Sequence, residues 1–178
     1  SLAASGSFTL QGLIRLAGFG TIQTATGTAL PHVEVASTGM YTTSYLGPSG
    51  VTVGGSLTMV SGTLGISAPM TVQGDAFLSG GVLTSFNVSI LSSYLTFQST
   101  VHVIGTNLSA SPLAMKFHGD VFFGTPATTI SGDVWLFGAQ KTLFTSGTAP
   151  VLNHLQVFGP ASYAVTDDIT ILQSMIID

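Results

Sequence analysis

The side chains that could do chemistry in this chain are few and scattered. The histidines are His32, His102, His118 and His154, and none stands in an H-x-x-x-H or H-E-x-x-H arrangement. There is no cysteine to complete a donor set, so zinc coordination has no support in the sequence. Asp75, Asp120 and Asp133 each follow a glycine. On successive corners of a coiled fold they could align as a carboxylate ladder, holding Ca²⁺ or exchanging protons with a sugar. Such a ladder usually comes with Lys or Arg to hold an acidic sugar, and only Lys116 and Lys141 are near in sequence. The Ca²⁺-binding nonapeptide G-G-x-G-x-D is not matched. Corner-forming aspartates are therefore expected. No G-x-S-x-G elbow is present, and Gly18-Phe19-Gly20 lacks the third glycine and following helix of a dinucleotide loop. No catalytic residue, cofactor site or metal site is expected, and the chain reads as a non-enzyme.

Two further patterns could make surfaces. Thr24-Ala25-Thr26 is a T-x-T triplet of the kind that presents hydroxyls to ice, and it has no register-matched partner. Aromatics gather late, at Phe117, Phe122, Phe123, Trp135, Phe137 and Phe144. Inward they would stack in a core; outward they would form a docking face for sugar or a neighbouring subunit. Strand alternation sets Trp135 and Phe137 on one side and Val134 and Leu136 on the other. Both sides are apolar, so a packed flank or partner is favoured over an exposed sugar platform.

The elements that must position these residues are short strands. Val51–Val53 and Leu57–Val60 flank Gly54-Gly55, and the figure returns as Met70–Val72 and Ala76–Leu78 around Gly74-Asp75. Apolar residues alternate with Thr and Ser at period two, as in a strand with one buried face. Equivalent breaks lie 20 residues apart, about one turn of a coiled sheet. Glycine is expected at these corners for its access to positive φ, and aspartate for bonding its own backbone. Asn-Gly and Asp-Gly, the hairpin signals of a β-sandwich, do not occur. The expected fold is all-β, a single-stranded parallel β-helix in which stacked coils bury Val, Leu, Ile and Phe. A β-sandwich binding module is the structural rival.

Along the chain, strands are read at Ser7–Leu16, Thr21–Thr26, His32–Ala36, Val82–Phe86, Val88–Leu91, Leu95–Phe97, Val101–Ile104 and Ala114–Gly124. Further strands follow at Thr129–Gly138, Thr142–Thr145, His154–Phe158, Tyr163–Val165 and Ile169–Ile177. Met40–Pro48 has the composition of a side loop. Residues 1–178 are taken as one domain with a long internal repeat, about 21–83 and 142–178. In that repeat Gly27-Thr28-Ala29 and His32–Val35 match Gly147-Thr148-Ala149 and His154–Val157. Val51-Thr52 and Leu57–Met59 likewise match Val165-Thr166 and Ile169–Ile171. The match suggests that the chain begins and ends in the same phase of a larger repeat.

Composition narrows the class. Hydrophobic residues make up 45% and charged residues 6%, against roughly 25% charged in a typical domain. A Ser/Thr-faced extracellular β protein has this balance. The net charge is −4, and Arg15, Lys116 and Lys141 are too dispersed to follow a phosphate backbone, so nucleic acid is not a partner. No stretch approaches the ~18–20 apolar residues of a spanning helix, and the strands fall short of the ~10 residues of a membrane barrel. Membrane insertion is not expected. Ser1–Ser7 has no charged or long apolar leader region, so a signal peptide, if one existed, is expected to have been removed.

The figure G-x-L-T-x-x-S-G-T-L at Gly55–Leu64, with Gly27–Val35 ahead of it, resembles the repeats of large secreted bacterial surface proteins. These include filamentous-haemagglutinin-like adhesins, autotransporter passengers and fibre proteins. The likeness covers roughly Thr21–Leu83 and Thr142–Ile171, and the sequence departs from it between Ser92 and Pro126. It implies a right-handed β-helix, export to the cell surface, and a role in adhesion or in an extracellular filament. The alternative reading is a carbohydrate-binding or polysaccharide-cleaving β-helix, with glycan as partner. The C-terminal strand Ile169–Ile177 is apolar and carries no polar cap. It is expected to stack on the N-terminal strand of another copy, or to continue into a longer solenoid. The candidate contact residues are Phe8, Leu10, Leu13, Ile169, Ile171 and Ile176.

Overall fold

Val51, Val53, Leu57 and Met59 are fully buried, while Thr52 and Thr58 between them are half-exposed. This is what a strand does when one face looks into a core. A computed structural model describes residues 11–44, 50–86, 94–108, 113–125, 128–147 and 149–178. It shows that pattern wound into an all-β parallel solenoid of about 7 turns, with no helix among the described residues.

Two sheets run the length of the coil. The first holds β1 (Leu13–Leu16), β3 (His32–Thr43), β5 (Leu57–Ile66), β7 (Ala76–Leu78), β10 (Val101–Val103), β12 (Val121–Phe123), β14 (Lys141–Thr145) and β16 (Tyr163–Val165), in that spatial order. The second runs from β4 (Val51–Val53) through β6 (Met70–Val72), β9 (Tyr94–Phe97), β11 (Ala114–Phe117), β13 (Thr129–Leu136) and β15 (Val151–Val157) to β17 (Thr170–Ile177). Pairing between neighbours is parallel in both. Within each sheet the inward residues form continuous rows. One such row is Val33, Leu57, Ala76, Val101, Val121 and Leu143, and every member is buried. The antiparallel sandwich is excluded by this ladder.

A third, narrower row of pairing closes the section of the coil. It begins with β2 (Gly20–Ile22) against Tyr41–Thr43 and passes through β8 (Val82–Ser85), which lies on Thr63–Ile66. It continues by single bridges from Val82 to Asn107 and from Leu108 to Ile130, then into Leu152 and Ile171. In the early coils this row is carried by the far ends of β3 and β5; in the late coils it is carried by the near ends of β13, β15 and β17. The long strands therefore bend round a corner, and their register shifts mark the bend.

Met40–Pro48 is not a side loop throughout. Strand β3 runs on to Thr43, because Met40–Thr42 pairs with β5 on one flank and Tyr41–Thr43 with β2 on the other. Residues 45–49 lie outside the described part, as do Val88–Leu91 and the chain before Gln11.

The corner glycines are needed for a reason other than positive φ. Gly54, Gly55 and Gly74 are not among the residues with positive φ. Instead the backbone N–H of Gly74 donates to the carbonyl of Gly55 at 3.1 Å, one coil below. A Cβ on Gly74 would lie 2.8 Å from the carbonyl carbon and oxygen of Gly55. At Gly74 the corner stacks backbone on backbone, and only hydrogen fits between the two coils.

Candidate functional site

The structure disperses the residues that the sequence offered for a reactive centre. His32 and His154 do the same thing in different coils. His32 Nδ1 lies 2.8 Å from the Ser56 hydroxyl, and His154 Nδ1 lies 2.7 Å from that of Ser174, each on the next coil. Asp75 accepts the hydroxyl proton of Ser99 at 2.6 Å, and Asp120 accepts the backbone N–H of Thr142 at 2.8 Å. These bonds tie one coil to the next, whereas the sequence had suggested bonds to the aspartates' own backbone. Asp133 lies on the other sheet, inside β13 and opposite His154. Among the described residues no three His, Asp or Glu side chains converge. Thr24 is buried, and its hydroxyl donates to the Gly50 carbonyl at 3.1 Å, so T-x-T is no outward row.

What the fold does assemble is two ladders of rings on its outer faces. Phe77, His102, Phe122 and Phe144 occupy one outward row of the first sheet. Their centroids are 5.0, 4.7 and 4.3 Å apart and their planes within 10° of parallel. On the second sheet His118, Phe137 and Phe158 stack at 4.8 and 4.6 Å. These spacings match the ~4.7–4.9 Å between strands, so rings in register must stack. Beside the second ladder, Lys116 Nζ sits 3.8 Å over the Tyr94 ring and 4.9 Å from the Trp135 centroid. Partial burial lowers the Lys116 pKa from its ordinary value. Burial lowers that of His118 too, with the Lys116 charge adding to the effect. Phe117 and Phe123 point inward and are buried, Phe117 against Phe97 at 5.3 Å. The late aromatics thus divide between core and outer face.

Tyr163 links three coils. Its hydroxyl lies 3.0–3.1 Å from the carbonyl oxygens of Phe117, Gly119 and Phe137, where its proton can be donated. Burial, with a further push from Asp120, raises its pKa well above the usual phenol range.

At the C-terminal end the inward rows run out into solvent. Val165 follows Leu143, Met175 follows Leu155, and Ile177 follows Val157. Exposure in these rows rises from 1% to 46%, from 3% to 52%, and from 9% to 69%. Among the described residues nothing pairs with the outer edges of β16 and β17. Leu136, Leu143, Val157, Tyr163, Ile169 and Met175 help to line an open hollow of about 260 Å³ there. Of the contact residues expected from sequence, Ile169 and Ile171 are half-buried against the core. Ile176 belongs to the outward row of Gln156, and Leu13 lies on β1, 61% exposed. Phe8 and Leu10 lie outside the described residues. Val165, Met175 and Ile177 were not picked out, although period two counted on from Ile171 reaches Met175 and Ile177.

No family model, no curated protein and no solved structure matches this chain. The parallel β-solenoid is the class that the fold defines.

Proposed function

We propose that this chain is a non-enzymatic structural or adhesive module of the cell surface, which works by stacking end to end through its last coil. The observation that carries this is the exposure of Val165, Met175 and Ile177 at the ends of otherwise buried rows. An uncovered parallel edge offers backbone donors and acceptors as well as apolar surface, and another β-coil satisfies both. That coil can belong to a second copy or to a continuation of the same polypeptide. A low-charge, Thr- and Ser-faced coil is consistent with an extracellular setting.

The carbohydrate-binding alternative draws on the half-exposed rings around Trp135. Sugars stack on ring faces, and most faces in the two ladders are already turned onto a neighbouring ring. That weighs against it; binding on a glycan array would reinstate it.

Multi-angle light scattering on the isolated chain tests the leading reading. Mass that grows with concentration is expected. A monomer that persists at the highest concentration would contradict it.

A further inference from the structure

We infer that the occupant of the open coil is a second copy of this chain, entering head to tail with its β1 laid parallel along β16. The inference rests on the end-stacking reading above and adds a partner, a direction and a register.

The register comes from the rows. Val165 ends the inward row that passes through Leu143 and Val33, and on β1 the residue opposite Val33 is Ile14. Extending the row sets Ile14 of the incoming copy on Val165. The outward neighbour on one side is then Leu13 of the incoming copy beside Ala164, two residues that are exposed in the single chain. On the other side Arg15 of the incoming copy arrives beside Thr166.

The direction comes from charge. Asp167, Asp168 and Asp178 are three of the seven acids, and no Lys or Arg follows Lys141. All three aspartates are exposed. At the other end the first base is Arg15, and none follows it until Lys116. The Arg15 side chain is 66% exposed and pairs through its Nε with Glu34 at 2.8 Å. Head-to-tail stacking brings this guanidinium to Asp167 and Asp168. Tail-to-tail stacking would instead oppose six carboxylates with no base between them and would demand antiparallel pairing.

The chain has no cysteine, which makes the register directly testable. Leu13→Cys and Ala164→Cys are made as separate variants, mixed and oxidised. Neighbouring strands bring Cα atoms to ~4.8 Å, inside the ~4.4–6.8 Å window of a disulfide. The expected result is a cross-linked dimer in the mixture and little in either variant alone. Arg15→Glu is expected to weaken association roughly fivefold at low salt, and Asp167→Lys with Asp168→Lys to restore it. Association by light scattering without the mixed cross-link overturns this register while leaving end stacking intact. Cross-linking within one variant alone overturns the direction. Absence of association at any concentration overturns both this inference and the proposed function.

Discussion

The early and late coils share an interior and differ on the outside. Inward, Leu57 and Met59 in an early coil are as fully buried as Val134 and Leu136 in a late one. In the row that alternates with the core, the second sheet carries Thr52, Thr71 and a covered Thr96 early on, and continues as Lys116 and Trp135. On the first sheet Arg15, Glu34 and Thr58 give way to Phe77, His102, Phe122 and Phe144. The inner rows supply the hydrophobic stabilisation that makes a coil. The outer rows decide what holds one coil to the next besides backbone bonds, and among the described residues ring stacking there begins at Phe77 and runs through the late coils. Those coils lead directly to the open end.

The largest effect should ignore this difference. Leu57→Ala in an early coil and Phe117→Ala in a late one should each cost about 2–5 kcal/mol, read by denaturant unfolding. A tenfold disparity in their effects on the unfolding constant beyond that expected from side-chain size would break the comparison. Gly74→Ala should cost ~1–3 kcal/mol, because the new methyl meets Gly55 backbone rather than a flexible side chain. Tyr163→Phe should follow at about 1–2 kcal/mol, through loss of a half-buried hydroxyl's bonds across three coils.

The outer rows should separate the two regions. Phe122→Ala removes two stacked contacts and should cost ~1 kcal/mol beyond lost area, whereas Thr71→Ala should change stability by less than ~0.5 kcal/mol. Equal effects would show that the ladders are passengers. The smallest effect is one of pH. His118 has a folded-state pKa below its ordinary value, so the unfolded chain binds the proton more readily. Its contribution to stability is complete above the ordinary histidine range near ~6.5 and falls as pH drops through that range towards the lowered value. His118→Phe should keep the stack and flatten this acid-side slope in thermal melts between pH 5 and pH 7.

Much of the coil was legible in the residues. Alternation in Val51–Leu78 gave the strands, and Gly54-Gly55 and Gly74-Asp75 gave corners that prove to lie one above the other. His32 and His154, matched in the sequence, each meet a serine of the next coil, but they do so on different sheets. His32–Val35 lies on the first sheet and His154–Val157 on the second, while Val51-Thr52 lies on the second and Val165 on the first. The repeat therefore records strand-and-corner chemistry rather than position around the coil. The ring ladders were hidden because coil lengths vary. Register partners Phe77 and His102 are 25 residues apart, His102 and Phe122 are 20, and Phe122 and Phe144 are 22. No fixed period finds them. The exposed end was visible only as a strand without a cap, since which of its residues continue the buried rows depends on pairing with β15.

Whether the last coil is covered by another coil is seen most directly in electron micrographs of the concentrated chain. About 7 turns at ~4.8 Å each give a subunit rise of roughly 34 Å. The account predicts rods of many subunits with that axial repeat and a meridional reflection near ~4.8 Å. Single particles no longer than one subunit at every concentration would contradict it.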